Sequence, residues 1–399
     1  MSKRVGLQTT IIVAMLSMIG PFTIDSVFPA FARIGVQFGA SDAALQQITS
    51  IYLFSYAFAS LFHGPISDSV GRKPVMVAGM TAFTLASIGC ALAPSLAVLL
   101  VFRAVQGIFA GAAQIISRAL VRDLYDGWQA QRVMAQVSMI FGIAPALAPV
   151  VGGWLLAIGD WEVIFFFLTG YAALLLALIT FGLPESHPEE KRTPLQMGPI
   201  FANMRNVAAD GPFARLAFAS SLGFSAQFLY IAGAPIFIVR LLGLGEQDFW
   251  IFFVPMITGM ILGSYVNSRL AEWGHSDKVV SIGLAIMLGA IALNLGLTSS
   301  PLATQLPWPI VGPALIAFGM SLAFPILQLT MLDLFPEKRG TAASLQSFVS
   351  LLLNALNAGV VVPLVSGSVL SMALASAAFG ITATGLWAWH LLIARRTTS

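Results

Sequence analysis

Stretches of about twenty apolar residues follow one another along this chain, separated by Gly, Pro, Asn or charged residues. At a rise of 1.5 Å per residue, such a stretch crosses hydrocarbon about 30 Å thick. Backbone N–H and C=O groups find no water there, so each stretch must satisfy its own as a helix. Twelve windows meet this description, at about 7–33, 43–66, 74–93, 96–119, 131–157, 161–183, 212–236, 248–270, 278–298, 308–333, 340–364 and 368–393. They consume nearly all of the 399 residues and leave little for an extramembrane domain. The charged fraction of 9% and mean hydropathy of +0.88 agree, since soluble domains carry roughly 25% charged residues. The expected fold class is an all-α membrane protein of twelve transmembrane helices.

The most polar long stretch runs from Pro184 to Asp210 and divides the windows six and six. This gives an N-terminal half at 1–183, a cytoplasmic linker at 184–211 and a C-terminal half at 212–399. Lys and Arg gather in alternate loops, among them Arg72, Lys73, Arg118, Arg122, Lys191, Arg192, Lys338 and Arg339, while Arg33 and Arg240 stand on the opposite side. By the positive-inside rule both termini and the linker are cytoplasmic. The spacing Gly-x-x-x-Asp/Asn recurs, as Gly64 and Asp68 after the second window and Gly263 and Asn267 after the eighth. Parallel halves with a binding site between them are a recognised transporter plan.

Several classes are excluded. The net charge is only +3 and its basic residues are scattered, so nucleic acid is not a partner. Cys90 is the single cysteine, which rules out an intramolecular disulfide and a cysteine-built metal site. No Gly-x-x-x-x-Gly-Lys-Ser/Thr loop is present, so ATP is not the energy source, and no constellation indicates catalysis. The first window is too long for a signal-peptide core and reads as a retained helix.

Asp25 is the one acidic residue well inside a window, and Arg103 the one basic residue. Taking Arg33 and Ser95 as the outer ends of their windows, each charge lies eight residues in, about 12 Å deep. An intramembrane charge costs about 2.5–3.5 kcal/mol on insertion scales and marks a pathway by default. One reading makes Asp25 the proton-coupling acid, with Arg103 biasing it. The other makes the two a permanent pair that stitches the first window to the fourth. Pro21 and Pro29, four residues to either side of Asp25, each remove a helical hydrogen bond and are positioned to kink the first window.

Gly64-Pro-Ile-Ser-Asp68-Ser-Val-Gly71-Arg72-Lys73-Pro74 resembles the signature loop between spans two and three of the major facilitator superfamily. Arg103-Ala-Val-Gln106-Gly107 resembles its span-four motif, and Gly142, Pro145, Pro149, Gly152 and Gly153 sit as in its span-five antiporter motif. Ser117-Arg118-Ala-Leu-Val-Arg122-Asp123 and Asp25-Ser-Val-Phe-Pro29-Ala are similar to the bicyclomycin-resistance (Bcr/CflA-type) group of twelve-span drug:proton antiporters. Ser69 stands where that loop commonly has a basic residue, and Ser17 and Met18 where some relatives carry a second acid. The resemblance covers essentially the whole chain. It implies the major facilitator fold, alternating access, and export of amphipathic compounds driven by the proton gradient with no cofactor.

The same resemblance implies a gate at Gly64, Asp68, Gly71, Arg72 and Lys73 that latches the cytoplasmic side, with Arg118 and Arg122 as candidate partners of Asp68. The small residues of the fifth window are expected to pack against the opposite half. Candidate substrate-cavity residues are Phe22, Phe28, Tyr52, Tyr56, Gln106, Gln114, Met139, Gln227, Tyr230, Phe253, Gln328, Asn354 and Asn357, although Gln and Asn in a bundle more commonly bond between helices. Expected partners are small drug-like molecules, protons and membrane lipid, with the chain acting as a monomer in a bacterial inner membrane. Two alternatives stay open: a narrow-specificity metabolite exporter or importer on the same fold, and a non-transporting scaffold or receptor.

Overall fold

The computed structural model describes residues 3–125, 127–270 and 276–398 and is all-helical over them. The helices are α1 (Lys3–Asp25), α2 (Phe31–Phe38), α3 (Asp42–Val70), α4 (Arg72–Ala91), α5 (Leu96–Leu124), α6 (Gly127–Ile158), α7 (Glu162–Gly182), α8 (Met197–Ala208) and α9 (Gly211–Ala232). They continue as α10 (Phe249–Leu270), α11 (Ser276–Thr298), α12 (Trp308–Asp333), α13 (Arg339–Leu356), α14 (Val362–Val365) and α15 (Val369–Thr398). Among the described residues ten helical stretches are long and apolar enough to cross a membrane, and α9 with the π-helical Pro235–Leu241, bent by 45°, makes an eleventh. The remaining long helix is α3, whose 29 residues include Gln46, Gln47, Thr49, His63 and Ser67 and are correspondingly less apolar. Together they follow the expected order of windows.

Local chemistry sets the ends. Ser41, Ser95 and Asp210 cap α3, α5 and α9, accepting from the amides of Ala44, Val98 and Phe213 at 3.3, 3.4 and 2.8 Å. Three windows are interrupted rather than continuously α-helical: the first after Asp25, the seventh after Ala232, and the eleventh at a π-helical turn over Asn357–Val361. The polar stretch is also less featureless than its composition indicates, because Met197–Ala208 forms a helix that buries Met204 and Val207.

Backbone contacts divide the chain into two compact units, Met1–Met197 and Gly198–Ser399, a boundary inside the polar stretch. In the first unit α5 packs on α3 and α4, and α1 on α6 and α7. In the second, α12 packs on α10 and α11, and α15 on α9. Small residues let these backbones touch: a Cβ on Gly107 would lie 2.2 Å from the Tyr52 carbonyl oxygen, and one on Gly263 would lie 2.3 Å from that of Phe318. Large apolar side chains such as Trp154, Phe181, Leu364 and Ile381 point outward, as hydrocarbon solvent permits.

Candidate functional site

The break in the first window follows from Pro29. A proline ring crowds the carbonyl four residues earlier and offers it no N–H, and that carbonyl belongs to Asp25. The α-helical ladder therefore stops at Asp25, and the chain crosses Ser26 and Val27 into a single 3-10 turn, Phe28–Ala30, before α2. Pro21 leaves no such break, since α1 runs through it. Asp25 is left as the last residue of α1, 5% exposed. Among the described residues no hydrogen bond or ion pair reaches its carboxylate.

Arg103 is fully buried on α5 but does not pair with Asp25. Its Nε donates to the Ile48 carbonyl at 3.0 Å, and its Nη1 donates to the Thr23 carbonyl at 3.1 Å and to Gln106 Oε1 at 2.9 Å. The guanidinium carbon lies 4.6 Å from the centre of the Tyr52 ring. The permanent Asp25–Arg103 stitch is thus replaced by something different: the planar donor fork ties α5 to the backbones of α1 and α3. Its contact on α1 is two residues before the acid. Gln106 passes the network on, donating from Nε2 to Ser87 Oγ at 2.8 Å, and Ser87 in turn donates to the Phe83 carbonyl at 2.8 Å. Hydrogen bonds to a charged group are worth about 1.5–3 kcal/mol each, enough to offset the burial of one cation.

The span-five residues meet the same place. A Cβ on Gly152 would lie 2.1 Å from the carbonyl oxygen of Ser26, so α6 rests directly on the broken backbone next to Asp25. The expectation that this motif packs against the opposite half is corrected for Gly152, whose close neighbour is α1 of its own half. Gly153 and Pro149 are buried, Pro145 is half-buried, and nothing lies within 4 Å of a Cβ on Gly142.

At the other end of α3, Gly71 turns the chain with φ +110°, a conformation that other residues rarely adopt. The turn brings Arg72 back over the end of α3. Its Nη1 bonds Ser67 Oγ at 2.6 Å and the Asp68 carboxylate, and its Nε bonds Asp123 Oδ2 at 3.0 Å. Arg72 is therefore the partner of Asp68, and the contact from α5 is Asp123. Arg118 and Arg122, the expected partners, are exposed. The reason is the turn itself, which places Arg72 within reach of both acids. The polar stretch completes the cluster. Glu185 accepts from the backbone amides of Arg72 and Lys73 at 3.0 and 3.1 Å, Lys73 Nζ donates to the Leu183 carbonyl at 2.9 Å, and Ser186 Oγ donates to Asp123 at 3.0 Å. Thr193 N donates to the Asp68 carbonyl at 3.1 Å. Gly64 has open space around it. In the second half Asn267, which echoes Asp68, instead donates to the Leu322 carbonyl at 2.6 Å.

The sequence profile described as the Major Facilitator Superfamily matches residues 10–358. The chain belongs to this superfamily. A bicyclomycin resistance protein homolog of Haemophilus influenzae is 30% identical over 338 residues, 83% of each chain. Multidrug resistance protein D of Escherichia coli is 26% identical over 352 residues, 86% of each. Among solved structures, a bacterial homolog to the human lysosomal transporter Spinster matches with a TM-score of 0.73 at 18% identity, covering 99% of this chain and 98% of that one, which supports the fold.

Within this major facilitator fold, several candidate cavity residues are occupied by packing inside their own half. Phe22 lies 6.1 and 5.9 Å from the rings of Phe167 and Tyr171, and Phe28 sits edge-on to Phe31. Tyr230 accepts from Asn294 Nδ2 at 2.8 Å, and Phe253 is fully buried against Phe249 and Phe252. Tyr52 and Gln106 serve the Arg103 network, and Tyr56 Oη donates to Gln114 Oε1. The side chain of Met139 lies outside the described residues.

The polar candidates of the second half cluster. Gln328 Nε2 donates to Gln346 Oε1 at 3.4 Å, Gln346 Nε2 donates to Ser350 Oγ at 3.1 Å, and Ser350 shares a 2.7 Å bond with Ser221. Ser225 Oγ donates to Asn354 Oδ1 at 3.5 Å, and Asn357 Nδ2 donates to the Ser225 carbonyl at 3.0 Å. Gln346, Ser350, Asn354 and Asn357 are spaced four, four and three apart, one face of a helix, opposite Ser221 and Ser225 on α9. That periodicity was legible, and it adds Ser221, Ser225, Gln346 and Ser350 to the residues named from sequence. Gln227 Oε1 and Asn357 Oδ1 are buried acceptors without a described partner.

Proposed function

We propose that this chain is a proton-coupled exporter of amphipathic, drug-like compounds, working by alternating access in a bacterial inner membrane with both termini cytoplasmic. The observation that carries the proposal is Asp25: a buried carboxylate with no hydrogen-bond or ion-pair partner among the described residues, at the break of the first span. It stands next to Ser26, on which Gly152 closes, and two residues after Thr23, to which Arg103 bonds. Protonation removes a buried negative charge and so alters which of two bundle arrangements is cheaper in lipid. The break supplies a joint at the same residue. The resistance proteins named above support the substrate class. No cofactor is needed, because a proton entering down 100 mV yields about 2.3 kcal/mol and a pH unit adds about 1.4. The cluster around Asp68 and Arg72 acts as the cytoplasmic latch, and Gln227, Asn354 and Asn357 supply polar contacts to substrate. The working unit is a monomer.

The test is drug-dependent proton flux in proteoliposomes. Asp25→Asn inserts and folds but no longer drives a neutral drug against its gradient; uphill transport equal to the parent removes Asp25 from coupling. The polar face of α13 favours a second reading, a transporter of one polar metabolite, since several fixed hydrogen-bonding groups suit a single ligand. Mutual competition among chemically unrelated compounds decides against it.

A further inference from the structure

A groove of about 310 Å³ lies in the second half between the start of α9 and the end of α15. On α9 it is lined by Gly211, Ala214, Arg215, Phe218 and Leu222, spaced three and four apart along one face, and on α15 by Leu386 and Trp389. Gly211 and Ala214 provide the hollow. Apart from Arg215 the lining is apolar, and Phe218 and Trp389 are 44% and 52% exposed. The exposed Leu374, Ile381 and Leu392 of α15 mark that helix as lipid-facing.

The polar end of the groove is incompletely used. The Arg215 guanidinium lies 5.3 Å from the centre of the Trp389 ring, and its Nε is buried without a hydrogen-bond partner. Asp210, the nearest acid in sequence, is engaged in capping Phe213, and among the described residues no carboxylate pairs with Arg215. A cation seated on an indole at the end of a span, above an apolar trough, is complementary to one kind of molecule: a phosphate head carrying an alkyl tail. We propose that this groove binds an anionic phospholipid, with its phosphate on Arg215 and the Trp389 indole N–H and an acyl chain along Phe218, Leu222 and Leu386. From Arg215 to Leu222 the trough runs about 10 Å along α9, so the tail enters the hydrocarbon as the head stays at the interface.

Native mass spectrometry of the detergent-purified full chain tests this, with phosphatidylglycerol, phosphatidylethanolamine and inorganic phosphate titrated separately. The parent retains phosphatidylglycerol in preference to the zwitterionic lipid, Arg215→Lys keeps most of the affinity, and Arg215→Gln weakens it about fivefold. Leu222→Trp, which fills the apolar arm without touching the charge, weakens it as well and serves as the second variant should Arg215→Gln fold poorly. Unchanged phosphatidylglycerol affinity in folded Arg215→Gln or in Leu222→Trp overturns the assignment. So does equal retention of both lipids by the parent, or displacement of the lipid by equimolar inorganic phosphate.

Discussion

Gly152 on α6 faces the carbonyl oxygen of Ser26, with 2.1 Å between that oxygen and the place a Cβ would occupy. No side chain fits there without parting α6 from the broken segment beside Asp25. Gly152→Ala is expected to lower the thermal midpoint in detergent, with an overpacking cost of about 1–3 kcal/mol. Gly142→Ala, where nothing lies within 4 Å, is the control. It should hold or raise the midpoint, since alanine is the better helix former by about 1 kcal/mol. Equal behaviour of the two variants would show that the close approach carries no weight.

Arg103 supplies three hydrogen bonds from two nitrogens to two backbones and a side chain. Lysine can reach part of this set but lacks the planar fork. Arg103→Lys should therefore keep folded protein with reduced transport, while Arg103→Ala, which removes all three hydrogen bonds and leaves a cavity in place of a fully buried side chain, should lose about 2–5 kcal/mol and most of its folded yield. The readouts are size-exclusion profile and drug efflux; matching profiles and efflux for both variants and the parent would dismiss the anchor.

Arg72 and Asp123 are mostly buried, and their 3.0 Å contact joins α4 to α5. A double-mutant cycle with Arg72→Gln and Asp123→Asn, read as thermal stability, should return a coupling of about 1–2 kcal/mol. The Asp68 side chain is 43% exposed, so the parallel cycle with Asp68→Asn should return less, within about 0–1 kcal/mol. A larger coupling for Asp68 than for Asp123 would contradict this ranking.

Glu185 caps α4 from the polar stretch, accepting two backbone amides across the Gly71 turn. Glu185→Ala should cost about 0.5–2 kcal/mol and release that stretch. Limited proteolysis between 184 and 197 should accelerate severalfold in the variant. Cleavage at the parental rate would mean that the other contacts, from Leu183, Ser186 and Thr193, hold the segment unaided.

By itself the sequence determined that the chain crosses a membrane repeatedly as helices, because unpaired backbone groups cannot be left in hydrocarbon and twenty apolar residues allow no other outcome. It also singled out Asp25 and Arg103, since a charge in an apolar window is conspicuous without any coordinates. Pro29 was legible as a breaker for the same local reason. The partners were decided only by the tertiary structure. Asp25 and Arg103 stand at similar depth, which made a pair plausible, yet the guanidinium turns to the Thr23 and Ile48 carbonyls. Depth is a one-dimensional quantity read from sequence, whereas pairing depends on how each helix is rotated and how closely it packs. Gly152 shows the same division: its small size was visible, but which backbone it admits was not. Glu185 and Asp123 lie 113 and 51 residues from Arg72, and only folding brings such distant carboxylates to one turn.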